Sequence, residues 1–282
     1  MDNLQHQRLE LKYIVHESVA LAVRDFVGAY LTLDEFGARK PDFSYPIHSL
    51  YLDSDDFALY WDTINGSKNR YKLRLRYYDD KPASPVFFEI KRRMNDVILK
   101  ERGAVRREAV SALLAGQLPE RGQLFFAGDP EQLPALEHFC RLMQHHAAKP
   151  KAHVFYRREA WISEHGHAAR VTMDRQIQFS YNPATTMLNT KMRNPTRVFE
   201  NKVVLELKFT GRFPDWFREL VQCFNLWQCP AAKYADGITL LAESNLDFET
   251  FAISPAPEMQ EKFQSRLHFL KTNSQPTEPA FA

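Results

Sequence analysis

Three segments of this chain repeat one arrangement of an acid, an apolar residue and a lysine: Glu10-Leu11-Lys12, Glu89-Ile90-Lys91 and Glu206-Leu207-Lys208. Each sits in a run where charged and apolar residues alternate. Side chains alternate faces along a β-strand, so residues two apart share a face. On that spacing Arg8, Glu10 and Lys12 stand opposite Leu9, Leu11 and Tyr13, and Lys72, Arg74 and Arg76 stand opposite Leu73, Leu75 and Tyr77. Glu89 and Lys91 oppose Phe88 and Ile90. Arg170, Thr172 and Asp174 oppose Val171 and Met173, and Glu206 and Lys208 oppose Leu205, Leu207 and Phe209. A solvated outer face would explain one such strand. Five with a similar mixture point instead to a sheet that curls around its charges and leaves a water-filled channel, as larger barrels permit. The apolar faces then need a cover, which helices over 17–30, 109–150 and 213–245 would supply. The expected fold class is α+β: an antiparallel β-tunnel with helices packed outside.

The rest of the chain fits that frame. Strands are expected over 8–15, 49–54, 70–78, 85–92, 97–108, 153–163, 168–180 and 202–209. A hairpin connection falls at 93–96 and a turn at 164–167. Helices are expected at 16–30, with Ser18 as N-cap, and at 55–67, closing at Asn65-Gly66. Residues 109–151 read as mostly helical, broken at Pro119, Pro130 and Pro134, and further helices fall at 213–226 and 232–246. Asp53, Asp55 and Asp56 resemble an acidic metal cluster, but Ser54-Asp55 before an amphipathic run reads better as a helix cap. One domain is expected over 1–252, followed at 253–282 by a helix near 258–270 and a flexible tail whose last dozen residues are disordered.

Composition narrows the chemistry. The formal net charge is only +2, so no bulk basic field marks a non-specific nucleic-acid binder, and nucleic acid is not an expected partner. Attraction for an anion must come from arrangement. Cys140, Cys223 and Cys229 suit neither a disulfide framework nor a zinc site and read as buried free thiols. No stretch approaches the roughly 20 apolar residues of a membrane span, and the first residues lack the apolar core of a signal peptide. The expectation is a cytoplasmic protein without direct membrane insertion. His145-His146 and His165-x-His167 read as surface positions, and Trp61, Trp161, Trp216 and Trp227 as packing residues.

A face crowded with arginine and lysine repels itself until an anion arrives, and guanidinium forks match phosphate oxygens. Carboxylates among those cations suggest a divalent metal, because Mg²⁺ and Mn²⁺ are held by carboxylate and phosphate oxygens together. Positioning and charge neutralisation are most of what phosphoryl transfer requires. By strand spacing alone, Lys72 and Lys208 join the candidate phosphate-binding residues.

With these residues in view the sequence resembles the catalytic domain of the vacuolar transporter chaperone (VTC) family, polyphosphate polymerases among the triphosphate tunnel metalloenzymes of the CYTH superfamily. The resemblance spans about residues 6–245. It is carried by RLELKY at 8–13, SLYLDSDDFALYWD at 49–62, YKLRLRYY at 71–78, FFEIKRRMNDVILKERGAV at 87–105, YRREAW at 156–161, ARVTMDRQIQF at 169–179, LELKF at 205–209 and PAAKYADGI at 230–238. It implies that Lys12, Arg74, Arg76, Lys91, Arg158, Arg170 and Lys233 are catalytic cations, with Lys100 a further phosphate ligand. It also implies that Glu206 binds Mn²⁺ or Mg²⁺, with Glu10 and Glu89 as secondary metal candidates. The implied partners are ATP and inorganic polyphosphate, and the implied reaction moves the γ-phosphoryl group of ATP onto a growing chain. Hydrolytic relatives carry a fuller Glu-x-Glu-x-Lys signature. Here position 8 is Arg8, which favours the polymerase over a triphosphatase acting on tripolyphosphate or a nucleoside triphosphate. A non-catalytic module binding polyphosphate or inositol phosphate is the third alternative.

Overall fold

The alternating segments become strands of one antiparallel sheet in the structure, a computed structural model that describes residues 8–95, 97–163, 169–183, 185–244 and 257–274. The strands are β1 (Arg8–Val15), β2 (Thr32–Leu33), β3 (Ser44–Asp53), β4 (Asn69–Tyr77), β5 (Val86–Met94), β6 (Val97–Val105), β7 (Lys149–Ile162), β8 (Ala169–Tyr181), β9 (Thr196–Arg197) and β10 (Val203–Thr210). Among the described residues seven α-helices accompany them: α1 (Glu17–Val27), α2 (Ala58–Ile64), α3 (Val110–Leu114), α4 (Gln132–His145), α5 (Asp215–Cys223), α6 (Lys233–Ser244) and α7 (Pro257–Ser274).

Strand order is β2-β7-β3-β4-β5-β6-β1-β10-β8-β9, and β7 also pairs with β8. The sheet therefore curls until its two halves meet. Its weak seam lies between β6 and β1, which share the single pair Arg8↔Ile98, so the curl is not sealed along its whole height. Registers place the repeated motifs side by side: Glu10 faces Lys208 and Lys12 faces Glu206 across β1 and β10. The inner face collects these charges.

Three apolar clusters cover the outside. Leu73, Leu75, Phe88 and Ile90 pack against Phe139 and Leu136 of α4. Gly103 on β6 permits that approach, since a Cβ there would meet Leu136 Cβ at 3.0 Å and Gln132 O at 3.1 Å. Val171, Leu205 and Leu207 pack with Val23 of α1 and with Phe217 and Leu220 of α5. The third cluster joins β3, β7 and β8 to α2, α6 and α7 through Tyr60, Trp61, Tyr234, Ile238 and Phe263. Burying an apolar side chain of this size stabilises by about 1.5–3 kcal/mol. The helices expected at 17–30, within 109–150 and at 213–245 thus cover the apolar faces, and no described helix is long and apolar enough to cross a membrane.

Several expectations are corrected. α1 starts at Glu17 with His16 at the cap and no side-chain cap bond, which puts Ser18 inside the helix. The cap of α2 is chiefly Asp53, whose carboxylate accepts the backbone N–H groups of Leu59 and Tyr60, while Ser54 Oγ accepts that of Ala58. Asp55 instead pairs with Lys149 and Lys151. Trp227 is 80 % exposed and Cys223 is exposed as well, so neither is a core residue. The short strands β2 and β9 were not anticipated. α7 runs to Ser274, which places the first four of the last dozen residues in a helix. The remainder of that tail, the turn at 164–167 and Asp96 of the hairpin lie outside the described residues.

Candidate functional site

Neighbouring strands bring like charges level. Lys72 on β4 stands opposite Lys91 on β5, which stands opposite Lys100 on β6. Like charges directly opposite each other destabilise a sheet, so this row costs the empty protein stability. Two residues on, Arg74 faces Glu89, which faces Arg102. There a carboxylate separates the cations. Glu89 is fully buried and binds Arg74 Nε at 2.9 Å and Lys100 at 2.6 Å. Its neighbours Arg76, Arg74 and Lys100 hold its carboxyl well below the usual range although burial pushes the other way.

The inner face narrows to a throat of about 80 Å³ lined by Lys12, Tyr51, Lys72, Arg74, Arg76, Lys91, Tyr156, Arg158, Glu206, Lys208, Ala231, Ala232 and Lys233. Eight of these are cations and one is a carboxylate. They come from β1, β4, β5, β7, β10 and the first residue of α6. The throat continues into a wider mouth of about 1190 Å³, sharing Lys12, Lys72 and Lys91 with it. So narrow a passage has room for only a few waters.

One side of the throat is a network around two carboxylates. Arg158 grips Asp174 with two hydrogen bonds of 2.7 Å and reaches Glu206 at 3.4 Å. Lys233 binds Asp174 at 2.7 Å and lies 3.5 Å from Glu206. Lys208 binds Glu206 Oε2 at 2.5 Å, and the Thr172 hydroxyl donates to the same oxygen. Glu206 Oε1 is left with Lys233 at 3.5 Å and Lys12 at 3.7 Å. Burial opposes the charge on Glu206, but Lys208, Lys233, Lys12 and Arg158 hold its carboxyl far below the normal value.

The opposite side is less compensated. Lys91 binds Glu10 at 2.8 Å and Lys12 lies 3.3 Å from it. Among the described residues Lys72 has no ion-pair partner, and burial beside Lys12 and Lys91 drives its pKa well down. Burial likewise lowers Lys208 to about 8 and Lys100 to about 7, against the pull of Glu206 and Glu89 respectively.

Of the residues singled out from sequence, Lys12, Lys72, Arg74, Arg76, Lys91, Arg158, Lys208, Lys233 and Glu206 converge on the throat, and Glu10 lines the mouth. Lys100 and Glu89 pair with each other beside it. Arg170 stands apart, its guanidinium 3.2 Å from Asp34, whose carboxylate also accepts the Tyr45 hydroxyl. Two polar lining residues were missed. Tyr51 accepts from Arg74 at 3.1 Å and Tyr156 from Arg76 at 3.0 Å, so each of these arginines is braced by a phenol. The alternation that exposed the charges marks both tyrosines too: Tyr51 lies between Leu50 and Leu52, and Tyr156 is two residues from Arg158.

Among the described residues no group of three or more His, Cys, Asp or Glu could hold a metal ion. A protein-only cage is therefore not what these residues offer. Glu206, with one oxygen only loosely engaged, fits a hard divalent cation that takes most of its ligands from phosphate oxygens.

The VTC domain family matches residues 7–242 of the chain. No curated protein matches it in sequence. Similar solved structures include a protein provisionally named adenylate cyclase from Bacillus halodurans, 16% identical, covering 80% of this chain and 94% of that one with a TM-score of 0.45. Another, provisionally named likewise, is from Vibrio parahaemolyticus. It is 12% identical and covers 82% of this chain and 97% of its own, with a TM-score of 0.41.

Proposed function

This chain belongs to the VTC domain family, and we propose that it is a polyphosphate polymerase that moves the γ-phosphoryl group of ATP onto the end of an inorganic polyphosphate chain in the throat. The observation that carries this reading is the excess of eight lining cations over one lining carboxylate in a passage of about 80 Å³. Such a surface is complementary to a repeated anion. Nucleic acid does not fit it, because the cations face inward.

In the proposed reaction the bond between the γ-phosphorus and the oxygen shared with ADP breaks. A terminal oxygen of the polyphosphate forms the new bond, and ADP leaves with the electron pair. The residues mainly bind and orient: guanidinium forks of Arg74, Arg76 and Arg158 hold non-bridging oxygens, and the lysines neutralise charge along the thread. The narrow bore excludes most water, which favours transfer to phosphate over hydrolysis. Glu206 would hold Mn²⁺ or Mg²⁺ jointly with phosphate oxygens, and that ion would supply charge neutralisation at the transferring group.

The test is to incubate the protein with ATP and Mn²⁺ and to separate long polyphosphate from orthophosphate. Long polymer and ADP are expected. Glu206→Gln should lower turnover by about a hundredfold or more while metal-free tripolyphosphate binding persists, since the substitution removes a negative charge from a cationic throat. Orthophosphate alone would make the protein a triphosphatase, and binding without turnover would make it a non-catalytic module.

A further inference from the structure

The family match ends at residue 242, yet the mouth of the tunnel is completed by α7, which begins at Pro257. α7 buries Phe263, Leu267 and Leu270 in the cluster that includes Ile238 and Ala242 of α6. Its other stripe, Glu258, Glu261, Lys262, Ser265, Arg266 and Phe269, follows the i, i+3, i+4 spacing of one helix face and lines the mouth. Arg266 fixes the helix there by donating to buried Asp236 at 2.7 Å and to Pro230 O at 2.9 Å.

Mouth and throat differ in chemistry. The mouth mixes charges of both signs and adds the apolar surfaces of Ile64, Ile98 and Phe269 and the uncharged hydrogen-bonding groups of Thr63 and Gln228. Its volume of about 1190 Å³ is some fifteen times the 80 Å³ of the throat (1190/80). Pockets for organic ligands of moderate size span roughly 300–1,000 Å³ and combine apolar walls with a few polar groups. A bare phosphate chain has no use for apolar walls. A group that is aromatic, largely uncharged and attached to the end of such a chain does.

We infer that the mouth chamber walled by α7 is the subsite for the nucleoside of the phosphate donor, and that α7 thereby makes the tunnel select a nucleoside triphosphate over inorganic tripolyphosphate. The inference rests on the reading of the throat as a phosphate site. The throat takes the shared triphosphate of either ligand, and the chamber takes the part that only the nucleotide has. α7 is a specificity element; no residue of it acts on the transferring phosphoryl group.

Ser265 is exposed on the lining face, so a large side chain fills the chamber without disturbing the buried face of the helix. Calorimetry with ATP and with inorganic tripolyphosphate, metal-free, should be run on wild type, Ser265→Trp and Ser265→Ala, with melting curves on each. Ser265→Trp should weaken ATP binding by about tenfold or more while tripolyphosphate binding stays within about twofold, because only the nucleotide meets the clash. Ser265→Ala should leave both unchanged. If Ser265→Trp leaves ATP binding intact, or weakens both ligands equally, α7 does not choose the donor. If wild type fails to bind tripolyphosphate, the phosphate reading of the throat falls first, and the two failures are thereby told apart.

Discussion

Lys208 shows how single residues here are held in an unfavourable state until a ligand comes. Burial lowers its pKa to about 8 even though Glu206 lies 2.5 Å away. Above that pH the ammonium loses its proton in the empty tunnel. A bound polyanion favours the charged form and raises the pKa, so binding takes protons up and strengthens as pH falls through 8. Tripolyphosphate binding should therefore be accompanied by proton uptake on the tunnel lysines, Lys208 near pH 8 and Lys100 near pH 7, read by calorimetry across buffers of different ionisation enthalpy once the ligand's own proton exchange is subtracted. No proton uptake by the protein after that subtraction would contradict the assignment. Most throat cations were legible from the period of two alone, because alternation fixes which side chains share a face. Tyr51 and Tyr156 were passed over because only charge was sought on that face. The capture of Arg170 by Asp34 could not be read: Asp34 lies far away in sequence, in the loop after β2, whose path the alternation does not specify.

At the scale of elements, α6 matters because its first residue is Lys233 and its fourth is Asp236, the anchor of α7. It lies against β8 through Gly237, where a Cβ would sit 2.1 Å from Phe179 Cδ2. Gly237→Ala must push helix and sheet apart, costing roughly 1–3 kcal/mol, and should lower both the melting temperature and the affinity for tripolyphosphate by displacing Lys233. Unchanged melting would show that the contact is not what sets the helix position. Strands with strict alternation were found within a few residues of their observed ends. β2 and β9 span two residues each, too short for any periodicity to register. The cap of α2 was recognised as a cap, but the dominant acceptor proved to be Asp53, because it also takes the Tyr234 hydroxyl from the far side of the fold. Exposed Trp227 follows α5 in a loop, where a hydrophobic residue carries no pattern to say that it is unburied.

For the whole molecule, the near-neutral sum of +2 conceals a separation of charge, with eight cations drawn into one passage. Glu10, Glu89, Asp174 and Glu206 neutralise part of that charge, but the level row of Lys72, Lys91 and Lys100 leaves the empty tunnel with an excess of cations, and the three outer apolar clusters hold it together nonetheless. A ligand that spans several of these cations at once relieves more repulsion than one that meets a single cation. The direct test is thermal melting with tripolyphosphate and with orthophosphate at equal concentration. At a hundredfold excess over its dissociation constant, tripolyphosphate should stabilise the protein by about 2.7 kcal/mol, and orthophosphate should raise the melting temperature far less. Equal stabilisation by the two anions would mean a single small anion site and would contradict a tunnel built for a phosphate chain.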